Sequence, residues 1–256
     1  MSKVLKEGGN AFKDAEGTIL TKRINRADVM PTVQWLEKVT GLELTDYILG
    51  TAGKHSTSGD LDLAIDANKV DKNEFADKLT AYIIKQGAHP KDWVKKSGVS
   101  VHFKTPIKGD DANGFVQADF MFGEPEWMKF SLQGGAEGSD YKGAHRHILL
   151  ASIAKAKGLK WSFQNGLSNR ETGELISKDP NEIAKKLLGQ MTTVKDLATV
   201  ESILNVIMKL PNYEELVADA RDTLAKDGVE LPHAATMESY QTGTPSWFRR
   251  MMEATK

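Results

Sequence analysis

The stretch Leu49-Gly50-Thr51-Ala52-Gly53-Lys54-His55-Ser56-Thr57-Ser58-Gly59-Asp60-Leu61-Asp62-Leu63-Ala64-Ile65-Asp66 decides how this chain is read. It runs from a turn of small residues into a strand with alternating character. Successive side chains of a strand point to opposite faces and rise about 3.3 Å per residue, so Asp60 and Asp62 share one face about 7 Å apart. Leu61, Leu63 and Ile65 then face the core. Two carboxylates on one face can share a pair of hard cations. Mg²⁺ takes oxygen ligands in octahedral geometry, and two ions about 4 Å apart stabilise both the attacking and the leaving oxygen of an in-line phosphoryl displacement. The stretch therefore predicts a nucleotidyl-transfer site.

The residues before the strand add to this. The Gly50-Thr51 turn can direct backbone N–H groups at phosphate oxygens, and Ser58-Gly59 gives the backbone room ahead of the acidic strand. Lys54 reads equally as a point-charge phosphate contact and as a solvated lysine. A P-loop is excluded on spacing: that motif needs Gly five residues before the Gly-Lys step and Ser or Thr directly after Lys, where this chain has Ile48 and His55. Further along, Asp119 stands in Val116-Gln117-Ala118-Asp119-Phe120-Met121. A carboxylate buried among apolar neighbours is costly unless it meets a cation or a donor. Asp119 is thus the third expected metal ligand.

With 256 residues, 40% of them hydrophobic, the chain can bury a full core as one large or two small domains. It has no cysteine, which excludes disulfides and thiolate metal sites and fits a reducing cytoplasm. Met1 to Glu7 is too charged for a signal peptide, and the longest apolar run, Ile148 to Ala154, is too short to span a bilayer. No membrane partner is expected. A net charge of −1 confines any nucleic-acid surface to local basic clusters such as Lys22-Arg23. His145 and His147 flank Arg146 at a helix start and read as surface charge; no zinc-protease motif and no serine nucleophile elbow occur.

Along the chain, residues 1–20 read as a loose arm or small hairpin. A helix capped at Ala27 or Asp28 runs to Gly41, followed by a short strand at Tyr47 to Leu49. A helix over Phe75 to Lys85 and strands at Val99 to Phe103 and Gly114 to Phe122 come next. Beyond Gly134-Gly135 the pattern turns helical: Ala144 to Lys157, Asn181 to Leu188, Val194 to Met208, Tyr213 to Lys226 and Ser246 to Ala254. Trp161 to Phe163 and Leu175-Ile176 read as a small hairpin.

Together these residues resemble the DNA polymerase β-like (family X) branch of the nucleotidyltransferases, from about Thr21 to Gly189. Lys22 to Asp28 is similar to that family's basic lead-in to its palm, Gly50-Thr51 to its Gly-Ser turn, and Ser58-Gly59-Asp60-Leu61-Asp62 to its Ser-Gly-Asp-x-Asp strand. Gly138-Ser139-Asp140 resembles the step that shapes its nucleotide pocket. The resemblance implies an α+β fold: an N-terminal arm (1–20), a palm with a mixed or antiparallel sheet (21–135) and a mostly helical, thumb- or fingers-like domain (136–256). It implies that Asp60 and Asp62 bind two Mg²⁺ or Mn²⁺ ions, that Asp119 activates a primer 3′-hydroxyl, and that Thr51 and Lys54 hold the triphosphate. Arg146 stands as a candidate for the family's minor-groove arginine.

The sequence departs from the family in three places. Gln117 stands where the family often has Arg. The aromatic pair usually set against the sugar is missing from Gly134 to Glu137, and no lyase or hairpin element for gripping DNA precedes the palm. The expected reaction is transfer of a nucleotide from a nucleoside triphosphate to a DNA or RNA primer end, weakly held. Transfer to a tRNA, a protein hydroxyl or a small molecule, and a noncatalytic nucleotide-binding protein of the same fold, are the alternatives.

Overall fold

The acidic strand lies at one edge of a mixed sheet, and the elements before it hold it there. The structure, a computed structural model, describes residues 10–234. The chain is a mixed α+β protein that divides into two compact units, Met1–Gln133 and Gly134–Lys256.

In the first unit, β1 (Ile24–Asn25) leads into α1 (Arg26–Thr40). The helix starts after Asn25 rather than at Ala27 or Asp28, and Asn25 makes no side-chain capping bond. It ends where Gly41, at φ 72°, returns its N–H to the Glu37 carbonyl at 2.8 Å. The expected strand at Tyr47 to Leu49 is instead a single 3₁₀ turn, Thr45–Tyr47, after which Ile48 bridges Leu63. β2 (Thr57–Ser58) pairs antiparallel with β1 and delivers the chain to β3 (Asp60–Asp66).

After β3, Asp71 accepts from the N–H groups of Asn73 and Glu74 and starts α2 (Lys72–Lys85). Then come β4 (Val94–Ser97), β5 (Ser100–Pro106), β6 (Phe115–Gly123) and α3 (Pro125–Ser131). The sheet order is β3-β6-β5-β4, with β3 and β6 parallel and the other pairs antiparallel. Its apolar face carries Leu61, Leu63, Val101, Phe103, Ala118 and Phe120, covered by Val33 and Leu36 of α1 and by Phe75 and Leu79 of α2. Period-two alternation commits the opposite face to Asp60, Asp62, His102, Lys104, Gln117 and Asp119. Residues 10–20 form a small hairpin, with Lys13 bridged to Ile19 and Phe12 buried.

The second unit is helical with a small sheet. α4 (Gly143–Ala156) is followed by β7 (Leu159–Ser162), β8 (Gly166–Asn169) and β9 (Leu175–Ser177), an antiparallel set ordered β7-β8-β9. Trp161 and Leu175 therefore do not pair with each other: β8 lies between them, Trp161 opposite Leu167 and Leu175 opposite Ser168. α5 (Pro180–Leu188), α6 (Val200–Ile207) and α7 (Tyr213–Ala225) complete the unit. The single helix expected over Val194 to Met208 is broken, because the Thr199 hydroxyl accepts from Ser202 N and restarts the chain as α6 after a 3₁₀ turn at Val194–Leu197. The helix expected at Ser246 to Ala254 lies outside the described residues.

Candidate metal centre

Sheet register makes the site. Asp62 and Asp119 are direct partners across the parallel β3–β6 pair, and Asp60 partners Gln117. Asp60, Asp62 and Asp119 each place a carboxylate oxygen so that all three oxygens lie within 4.8 Å of one another. A divalent ion bound at about 2.1 Å separates its ligand oxygens by roughly 3 to 4 Å, so small side-chain movements suffice to close the trio on a cation.

The electrostatics favour that closure. Burial, then the charges of Asp60 and Asp119, push the Asp62 carboxyl well above the usual carboxylate range. A cation among the three would reverse this. The three carboxylates thus form a donor set of hard oxygens suited to Mg²⁺ or Mn²⁺.

Among the described residues, His102 and Gln117 hold Asp119. His102 on β5 places Nδ1 2.6 Å from Oδ1, and the Gln117 amide donates from Nε2 to Oδ1 at 2.9 Å and Oδ2 at 3.1 Å. The sequence signalled neither role: Gln117 stood out only as a departure from the family's Arg, and His102 read as one residue of a strand. The alternation Val101-His102-Phe103 could have placed His102 on the polar face. Its pairing with Asp119 depends on register.

The small-residue turn is tied to the same strand. Leu49 N–H donates to the Asp62 carbonyl at 2.8 Å, and Gly50 follows at φ 64°, a conformation that L side chains rarely adopt. A Cβ on Gly50 would lie 3.5 Å from Asp62 Oδ2, so here the backbone angle rather than crowding asks for glycine. The hydroxyls of Thr51 and Ser58 are 3.0 Å apart. Lys54 N and His55 N are spent on the Thr51 carbonyl, while the N–H groups of Ala52 and Gly53 make no hydrogen bond among the described residues. Lys54 is exposed. Gly59 lies against Arg23, whose guanidinium holds the Thr57 hydroxyl and carbonyl. Lys22, Arg23, Asn25, Asp28, Ile107, Lys108 and neighbouring residues line a cleft of about 470 Å³.

Gly138, Ser139 and Asp140 belong to the second unit. There Ser139 donates to Glu201 and accepts from Tyr141 N at 2.9 Å, which fixes the approach to α4. The three histidine-region residues expected at the surface are not there in the way their charge suggests. Arg146 is 1% exposed and gives its Nε to the Leu197 carbonyl, and His145 is buried with Nδ1 accepting Lys142 N. A guanidinium so enclosed cannot serve as a minor-groove contact in this conformation. His147 is half-buried, stacked on Trp161.

No protein-family model matches the chain, and no curated protein matches it either. Among the described residues, no helix is long and apolar enough to cross a membrane.

Proposed function

We propose that the chain is a metal-dependent nucleotidyltransferase that moves a nucleotide from a nucleoside triphosphate to an acceptor hydroxyl, in the manner of the polymerase β-like enzymes it resembles. The observation that carries this reading is the convergence of Asp60, Asp62 and Asp119 from two parallel strands beside a glycine turn. Asp60 and Asp62 would hold both ions and Asp119 one of them. When bound, such ions neutralise the triphosphate and the charge that develops on the attacking and leaving oxygens. Asp119, oriented by His102 and Gln117, draws the proton of the acceptor hydroxyl. The N–H groups of Ala52 and Gly53, which make no hydrogen bond among the described residues, receive the triphosphate oxygens together with Thr51 and Lys54.

The acceptor is a nucleic-acid 3′-hydroxyl in this reading. Lys22 and Arg23 beside one cleft, with Lys108 there paired to Asp28 at 3.2 Å, supply a local phosphate-compatible surface on a chain of net charge −1. Labelled nucleoside triphosphates with Mg²⁺ or Mn²⁺, offered primer, gapped duplex, tRNA or no acceptor, test it. Labelled primer is the expected product. Label on tRNA alone, on the protein itself or on a small molecule moves the chain to another transferase class. Tight nucleotide binding with no product in any arm makes it a noncatalytic binding protein.

A further inference from the structure

Residues 10–12 lie on the polar face of the sheet, and their hydrogen bonds lead to Asp119. We infer that this N-terminal segment is part of the metal centre: the backbone N–H of Ala11, acting through Gln117, sets the orientation of the Asp119 carboxylate. The inference rests on the reading of Asp60, Asp62 and Asp119 as metal ligands.

The argument begins with the amide of Gln117, which is 3% exposed. Its Oε1 accepts from Ala11 N at 2.7 Å, and its Nε2 donates to both oxygens of Asp119. A carboxamide has one accepting and one donating end. Turned over, it would set its NH₂ against the Ala11 N–H and its oxygen against the Asp119 carboxylate, two repulsive contacts in a buried place. The Ala11 N–H therefore selects the one orientation that leaves two donor contacts on Asp119. Without it, the amide is anchored at one end only, by its contacts with Asp119 itself, and can swing or rotate away from the geometry that places both donor contacts.

The segment is itself held in place. Lys95 Nζ donates to the Ala11 carbonyl at 2.5 Å and lies 5.3 Å from the centre of the buried Phe12 ring. Asn10 clips the segment to Thr21 and caps Phe12 N, while Leu20 N returns to the Phe12 carbonyl. Lys95 is the register partner of His102, and His102 that of Asp119. One row across the sheet thus joins the anchor of the segment to the carboxylate it orients. Gln117 and Ala11 are positioning residues; neither is asked to touch metal or substrate.

Ala11→Pro removes the N–H and also fixes the local backbone, Ala11→Gly keeps the N–H, and Gln117→Met keeps bulk without the amide. Bound and free Mn²⁺ are counted by electron paramagnetic resonance, with kcat, KM for the nucleotide and the melting temperature measured alongside. One buried hydrogen bond contributes about 1 kcal/mol, so Ala11→Pro and Gln117→Met are each expected to weaken Mn²⁺ about fivefold to tenfold and to lower kcat similarly, with KM little changed. The double variant is expected to be no worse than the poorer single one, because both break the same chain of contacts. Ala11→Gly is expected to match wild type.

Wild-type Mn²⁺ affinity in Ala11→Pro, or effects that multiply in the double variant, would overturn the relay, even if the melting temperature falls. Should Ala11→Pro fold poorly, Gln117→Met with wild-type Mn²⁺ affinity overturns it equally. A wild-type chain that binds Mn²⁺ through Asp119 yet transfers no nucleotide defeats the proposed reaction alone, and the relay is then judged on metal affinity. A wild-type chain that binds no Mn²⁺ defeats both.

Discussion

Asp62 and Asp119 face each other across a parallel strand pair, and the close approach of their carboxylates with that of Asp60 is a source of instability that a bound cation would remove. Burial and the two neighbouring charges raise the Asp62 carboxyl above its ordinary value. The folded chain then holds a proton that the unfolded chain has released, so stability falls as pH rises from the ordinary carboxylate value through the raised one. At neutral pH with EDTA, Asp62→Asn is expected to melt above wild type. Adding Mg²⁺ is expected to raise the wild-type melting temperature and leave the variant nearly unmoved. A variant that melts lower without metal and gains as much from Mg²⁺ would remove Asp62 from the site.

Asp119→Asn should separate turnover from binding. The substitution keeps the size of the side chain and removes the charge that the proposed reaction sets against the acceptor proton and one ion, so kcat is expected to fall by at least about a thousandfold. Nucleotide affinity, which the proposed function assigns to the turn and the other two carboxylates, is expected to fall much less. Equal losses in a single-turnover and a binding measurement would show that Asp119 acts on the ground state.

Nucleic-acid affinity is expected to be weak and its salt dependence shallow, with a slope of log K against log salt no steeper than about −5 on duplex DNA, where each neutralised phosphate contributes about −0.9. The double variant Lys22→Ala/Lys108→Ala removes two cations from the 470 Å³ cleft. It is expected to flatten that slope by one to two contacts while leaving Mn²⁺ affinity unchanged. An identical salt series for the variant would take the cleft out of acceptor binding.

His147 gives the second unit an acid limit. Burial first, and the Arg146 charge second, push its imidazole down to about 4 from the ordinary 6.5, and its Nδ1 accepts the Trp161 N–H at 3.2 Å. Between those two pH values the unfolded chain takes up a proton that the folded chain refuses, so stability is lost as pH falls through the window. His147→Phe is expected to flatten the decline of melting temperature from pH 6.5 to 4 relative to wild type. Parallel curves would contradict it.

Gly109 is the most constrained turn beside α1. It sits at φ 74°, and a Cβ there would lie 2.2 Å from Trp35 Cδ1. Backbone strain and overpacking add, so Gly109→Ala is expected to destabilise by about 2 to 4 kcal/mol. Gly98→Ala, at φ 52° with open space around it, is expected to cost about 1 kcal/mol. Chemical denaturation of the two variants side by side checks the difference.

What could be read from residue order is what neighbouring residues decide together. The alternation of Asp60 to Asp66 sorted acidic from apolar side chains before any sheet existed, because strand geometry has a period of two. Helices α2, α4 and α7 are close to their expected spans for the same local reason. Register belongs to tertiary structure, since a parallel pair is set by packing between distant segments rather than by a turn. Only that packing put Asp119 opposite Asp62, brought His102 and Gln117 to it, laid Ala11 on Gln117 and enclosed Arg146, whose charge had pointed to the surface.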